Sequence, residues 1–250
     1  IKLFEFMPKN VKKMSTDYSP NFGLKKRSKK NIKYIIYHYT GMRSDKLAIR
    51  RLTNFNSKVS CHYFIDKKGK LIQMVPELYV AWHAGRSNWK KYKSLNSTSI
   101  GIEISNPGHQ YGYESFKKKQ LKCLIKITKL LIKKYSIKKQ NILGHSDIAP
   151  LRKKDPGEKF PWKYLANKNI GVWHKINLKK CIDLRGEYLN IKSRVFFEQL
   201  NKLGYSVKSL KKNELKKIIN SFQRRYRPEL VDGKVDRECV EIAKSLISNK

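Results

Sequence analysis

Ile32-Lys33-Tyr34-Ile35-Ile36-Tyr37-His38-Tyr39, closed by Thr40-Gly41, is an apolar run that ends on an imidazole. Aromatic and β-branched residues suit a pleated, half-buried surface, so the run reads as a strand. A functional group at His38 would then rest on a rigid base and face the loops. Outward from this strand, Ser44 is a plausible N-cap for a helix over Asp45 to Asn54, where Leu47, Ala48, Ile49 and Leu52 keep a helical period. Val59 to Ile65 alternates as a strand, Asp66 to Gly69 makes a turn and Lys70 to Val75 returns, the pattern of a hairpin. Ser99 to Ser105, SIGIEIS, is a further strand, in which Glu103 alternates with Ile100, Ile102 and Ile104 and can point into a cleft. A carboxylate held in low dielectric has a raised pKa and can serve as a general base. Ser115 to Tyr135 is the clearest helix, with Phe116, Leu121, Leu124, Ile127, Leu131 and Ile132 near a 3.6 period and a solvated lysine face. Strands alternating with helices predict an α/β fold, a mixed central sheet packed with helices and chemistry gathered at the strand ends.

The second decisive stretch is GHSDIAPLRKKDPG, Gly144 to Gly157. Catalytic zinc typically takes three protein ligands from His, Asp or Glu and leaves one position for water. His145 and Asp155 could be two of these, and His38 is the best third. Taken singly, each residue has a plainer reading: a histidine after a strand is commonly a hydrogen-bonded packing residue, and Asp before Pro156-Gly157 is a turn former. Trp82, His83 and Asn88, in the loop AWHAGRSNW, suit a pocket for a sugar or peptide, since rings offer flat apolar faces and an amide orients polar groups. A loop anchored by one buried Trp is the plain alternative. His62 and His174 read as structural or packing residues.

Composition limits the rest. The 250 residues, 40% of them hydrophobic, can bury one large domain or a medium and a small one. The 57 Lys plus Arg against 19 Asp plus Glu give a net charge of +38. Such a field draws polyanions, including anionic envelope surfaces. The lysines are scattered through every segment, as an AT-rich code would scatter them, and no specific nucleic-acid role is expected. Cys61, Cys123, Cys181 and Cys239 form no CxxC pair and suggest neither a disulfide framework nor a cysteine metal site. No apolar run approaches the roughly eighteen residues of a membrane span. The chain begins at Ile1 without Met, as a processed or trimmed chain does. Residues 1–30, with Pro8, Pro20 and a basic run at 25–30, read as an extended, solvated arm.

After Trp162 the texture changes. A connector near Lys175 to Asp183 leads to amphipathic helices at Val195 to Leu203, stopped by Gly204, at Asn213 to Phe222, and around Ala243 to Ile247.

YIIYHYT, VSCHYFIDKKGKLIQMVPE, AWHAG, SIGIEISN and GHSDIAPLRKKDPGEKFPW, in this order, resemble the zinc-dependent N-acetylmuramoyl-L-alanine amidases of the amidase-2 group, which share the peptidoglycan-recognition-protein fold. The resemblance spans about residues 30 to 165. It implies zinc on His38, His145 and Asp155, Glu103 as the catalytic glutamate, and Lys153 as the catalytic lysine that stabilises the oxyanion. Leu151 and Glu158 depart from the usual small or polar residue and proline, which touches the shape of the loop. LGYSV with SFQRRYRPELVDGKVDRE, ending at Glu238, resembles the helical peptidoglycan-binding domain appended to cell-wall hydrolases. The organisation implied is an arm over 1–30, a zinc amidase domain over 31–175 and a small all-α domain over 176–250. The implied activity is hydrolysis of the amide between N-acetylmuramic acid, 1,6-anhydro forms included, and L-alanine, in peptidoglycan or muropeptides. A monomer at the cell envelope or periplasm is expected, with cytoplasmic recycling of fragments as the alternative. Two rival classes are a recognition protein that binds peptidoglycan without cutting it and a polyanion-binding protein.

Overall fold

The structure, a computed structural model, describes residues 15–190, 193–207 and 211–248. In chain order the elements are β1 (Ser15–Thr16), β2 (Phe22–Gly23), β3 (Tyr34–Tyr39), α1 (Asp45–Thr53), β4 (Tyr63–Ile65), β5 (Leu71–Gln73), β6 (Val80–Ala81), β7 (Asn88–Trp89), β8 (Tyr92–Lys93) and β9 (Ser99–Ile104). They continue with α2 (Lys118–Tyr135), β10 (Ile142–Gly144), α3 (His145–Ile148), α4 (Trp162–Ala166), α5 (Leu178–Leu184), α6 (Arg194–Leu203), α7 (Lys212–Tyr226) and α8 (Arg237–Ser248). The main sheet runs β1-β5-β4-β9-β3-β10 and is mixed: β4 and β5 pair antiparallel, as the hairpin pattern predicts, and the other neighbours are parallel.

Period-two alternation decides what each face carries. Ile35 and Tyr37 of β3, Ile100, Ile102 and Ile104 of β9 and Ile142 of β10 face one way and pack with Leu124, Ile127 and Leu131 of α2. That apolar stripe explains the helix, and its lysines lie outside the contact. Tyr34 and Ile36 of β3 and Leu143 of β10 face the other way, into a core shared with Phe196, Leu200, Ile218, Phe222 and Ile242 of the C-terminal helices. Glu103 is the residue of β9 in register with His38, so the same alternation puts both on one face at adjacent strands.

Two expectations are refined. The helix at 45–53 has the expected cap, Ser44 accepting the Leu47 N–H at 3.3 Å. The N-terminal segment, expected to be solvated, is built into the fold from residue 15: Asn21 donates to the carbonyls of Asn54 at 2.8 Å and Val59 at 2.9 Å, and Arg27 to those of Ser99 at 2.8 Å and Glu77. Carbonyls buried at loop ends need donors, and this segment supplies them. The arm over residues 1–14 lies outside the described residues.

The C-terminal helices are held by the motif that marked them in sequence. Gln223 and Arg227, both 0% exposed, bond to Asp232 and Asp236 and to the backbone of Gly233 and Lys234, closing the loop between α7 and α8. Of FQRRYRP and DGKVD, the Gln223, Arg227, Asp232 and Asp236 side chains therefore bond to one another within the bundle. Gly204, with φ of +133°, ends α6 where a Cβ would meet the Trp89 ring, so the turn passes close over the β7–β8 hairpin.

Candidate metal centre and active site

His38 is the penultimate residue of β3, and His145 follows β10 directly as the first residue of the short helix α3. Because β3 and β10 are parallel neighbours, the two imidazoles reach the same end of the sheet. The loop after α3 returns Asp155 to them, and the Ser146 N–H donates to the Asp155 carbonyl at 2.8 Å. The three side chains are buried, and His38 Nδ1, His145 Nδ1 and Asp155 Oδ2 stand 2.9, 3.1 and 3.0 Å apart. Among the described residues this is the group of histidine and carboxylate ligands that could hold a metal ion. Tetrahedral ligands about 2.1 Å from zinc lie about 3.4 Å from one another, so the triangle fits the ion with shifts of a few tenths of an ångström. Two neutral imidazoles and one carboxylate are also a donor set that zinc favours.

Protonation agrees with that use. Burial first, and the neighbouring His145 second, lower His38 to a pKa of about 4, so it is neutral at pH 7. For Asp155 burial acts upward but is outweighed by His145 and His38, and the carboxyl lies well below the usual range. Both ligands present lone pairs at neutral pH.

The outer nitrogens are accounted for. His38 Nε2 lies 3.0 Å from His83 Nδ1, His83 Nε2 lies 3.1 Å from Ser99 Oγ, and Ser99 donates to the Leu95 carbonyl at 2.6 Å. With Nδ1 of His38 turned to the ligand triangle, the pattern of partners assigns one direction: His38 donates to His83, which donates to Ser99. His145 Nε2 donates to the Ala84 carbonyl at 3.1 Å, and Arg152 donates to the same oxygen.

The ligands open on a cleft of about 620 Å³ whose lining includes Trp82, His83, Glu103, Lys153 and Asp155. Glu103 Oε2 has no hydrogen-bond partner among the described residues. Burial, then Asp155, push its carboxyl well above the usual range, against Lys153 and Arg51. Its ionised form is thus held short of stabilisation beside the three candidate ligands. Arg51, Arg152, Lys153 and Lys154 make the wall cationic, suited to an acidic substrate.

The residues expected to touch substrate are placed differently from one another. Trp82 lines the cleft. His83 also lines the cleft, is 8% exposed and sets both ring nitrogens against His38 and Ser99, the geometry of a positioning residue. Asn88 sits exposed on the β7–β8 hairpin, outside the cleft lining; the amide used here is that of Asn96, which accepts the His83 and Ala84 N–H groups at 3.1 and 2.7 Å. Ser99, Asn96 and Arg152 escaped the sequence reading, although Ser99, Gly101 and Glu103 share one face by period two. Gly101 is needed there, because a Cβ would collide with the His83 ring.

His83→Ala removes the acceptor for His38 Nε2–H and is expected to weaken metal binding about 10–100-fold, the usual cost of losing such a partner. His83→Asn, whose amide oxygen can take the place of Nδ1, should recover part of it. Chelator competition reads both, and equal affinities for wild type and His83→Ala would remove the role.

Residues 28–158 match the Amidase_2 family, described as N-acetylmuramoyl-L-alanine amidase. The chain is 36% identical over 232 residues to the N-acetylmuramoyl-L-alanine amidase AmiD of Escherichia coli K12, covering 86% of this chain and 82% of that protein. It is 37% identical over 115 residues to the 1,6-anhydro-N-acetylmuramyl-L-alanine amidase AmpD of Haemophilus influenzae, covering 45% of this chain and 60% of that one. Among solved structures, E. coli AmiD in complex with anhydro-N-acetylmuramic acid-L-Ala-D-γ-Glu-L-Lys superposes with a TM-score of 0.78 at 34% identity, covering 88% of this chain and 90% of that one. AmpDh3 of Pseudomonas aeruginosa gives a TM-score of 0.78 at 27% identity, over 97% of this chain and 98% of that one. A strand-borne histidine, a GHSD turn and a returning aspartate around one cleft, together with these similarities along most of the chain, make it a member of the amidase-2 family of N-acetylmuramoyl-L-alanine amidases.

Proposed function

We propose that this chain is a zinc amidase that hydrolyses the bond between the lactyl carbonyl of N-acetylmuramic acid and L-alanine, with 1,6-anhydro-ended muropeptides among its substrates. One observation carries the reading: three buried ligand atoms converge within hydrogen-bond distance in an open cleft, beside a Glu103 carboxylate oxygen that has no hydrogen-bond partner among the described residues. When bound, zinc supplies Lewis acidity, which makes water nucleophilic near neutral pH and polarises a carbonyl oxygen. His38, His145 and Asp155 hold the ion, and the His83 and Ala84 contacts keep the two imidazoles in the required tautomers. Glu103 accepts the proton of the attacking water, favoured by its raised pKa, and returns it to the departing amine of L-alanine. Lys153, on the cleft wall, offers an ammonium to the oxygen that becomes negative as the carbonyl turns tetrahedral. The similarity to AmiD, solved with an anhydro-muropeptide, supports the substrate class.

The deciding experiment incubates the purified chain with soluble anhydro-ended and reducing-end muropeptides and follows products by mass spectrometry. Release of a peptide beginning at L-alanine, lost with chelator and regained with zinc, is expected. Binding of intact muropeptide with no release would favour the recognition-protein reading.

A further inference from the structure

The turn that carries His145 is gripped from behind by the C-terminal helices. Asp147, in the middle of α3, is 2% exposed. Its Oδ2 accepts the Gly144 N–H at 2.7 Å and a bond from Arg225 of α7, and its Oδ1 accepts the Tyr205 hydroxyl at 2.7 Å. Arg225, also 2% exposed, donates to the Ile142 carbonyl at 2.9 Å and lies 4.2 Å from the centre of the Trp162 ring. Ser221 donates to the Ser146 carbonyl at 2.7 Å, and Ser146 donates to the Asp155 carbonyl on the other side of the same turn. None of Arg225, Tyr205 and Ser221 lines the cleft.

An isolated four-residue helical turn has little stability of its own, because helix nucleation is costly. Here one metal ligand begins such a turn, and the backbone of a second ligand is bonded to it. A buried ion pair with both partners hydrogen-bonded is a weak source of net stability, but it specifies geometry, because leaving either charge unpaired is severely penalised. We infer that the C-terminal helices are a working part of the metal centre: Arg225, Tyr205 and Ser221 are positioning residues that hold α3 so that His145 meets His38 and Asp155. Substrate contacts are left to the cleft. The inference rests on the His38, His145 and Asp155 site proposed above.

Variants made in the whole 250-residue chain test this. Arg225→Met should raise the zinc dissociation constant about 10–100-fold in chelator competition, as removal of a group orienting a ligand does. At subsaturating zinc it should lower kcat on soluble anhydro-muropeptide, with KM within about twofold because the cleft is untouched. Tyr205→Phe and Ser221→Ala each delete one hydrogen bond without stranding a charge and should weaken zinc by a smaller factor. Arg194→Ala, at an exposed α6 pair, should change nothing. Combining Arg225→Met with Tyr205→Phe should cost less than the two separate effects together, since both act on Asp147. Unchanged zinc affinity in folded Arg225→Met overturns the inference; if that variant does not fold, unchanged affinity in both milder variants does so. Failure of the wild-type chain to bind zinc would overturn the site itself and this inference with it.

Discussion

The Glu103→Gln enzyme is expected to turn over muropeptide about 10²–10⁴-fold more slowly than wild type, the range associated with losing a general acid–base, with zinc content unchanged. Glutamine keeps the shape of the side chain and cannot accept a proton. Among the described residues nothing donates to Oε2, so replacing that oxygen strands no donor. Stability should not fall. The folded-state pKa of Glu103 is raised, so its ionised form costs stability above the unfolded carboxyl's pKa, and glutamine removes that cost at neutral pH. The pH profile adds a second readout. Wild-type kcat/KM should decline as pH falls through the Glu103 pKa, which burial raises and a bound cation draws back down. The residual activity of Glu103→Gln should lack that limb. Full turnover in the variant would take the proton-transfer role away from Glu103.

What could be read from sequence was what repeats locally. The apolar period of β3 and β9 gave strands, and alternation within β9 was enough to separate Glu103 from Ile102 and Ile104. The pairing of His38 with Glu103 was not readable from either strand, because it depends on β9 lying beside β3, a fact of topology. His83 shows the same limit more sharply. Trp, His and Gly in one loop suggest a sugar pocket, and only the approach of two distant rings, permitted by the missing side chain at Gly101, reveals a partner for His38. Asn21 and Arg27 looked solvated because their bonds reach carbonyls at least thirty-three positions away. The amphipathic pattern of α6 and α7 predicted that each helix buries a face. It could not say that the buried face would share a core with Tyr34, Ile36 and Leu143 of the amidase sheet.

Removing the metal is expected to bring turnover to background, with recovery on adding zinc, and His145→Ala or Asp155→Ala should have the same effect without recovery. The loss should not be a loss of fold. His38 and His145 are walled by the sheet and the C-terminal core, so chelation empties a formed site and does not unfold a domain built on its metal. The thermal cost follows from mass action: zinc at about 100 times its dissociation constant stabilises by about 2.7 kcal/mol. For a chain of this size that is a fall in Tm of roughly 5–10 °C on stripping the ion. The pH dependence has a defined sign. His38 has a folded-state pKa of about 4 against an unfolded value of 6.5, so the metal-free protein keeps this contribution above pH 6.5 and loses it progressively as pH falls toward 4. The same protonation competes with the ion, and acid should release zinc through His38 only near the lower end of that window. Calorimetry on the metal-free and reconstituted chain across that pH range, with zinc content and turnover measured on the same samples, checks these expectations. Full activity in a sample shown to be metal-free would leave the triangle of His38, His145 and Asp155 without its chemical purpose.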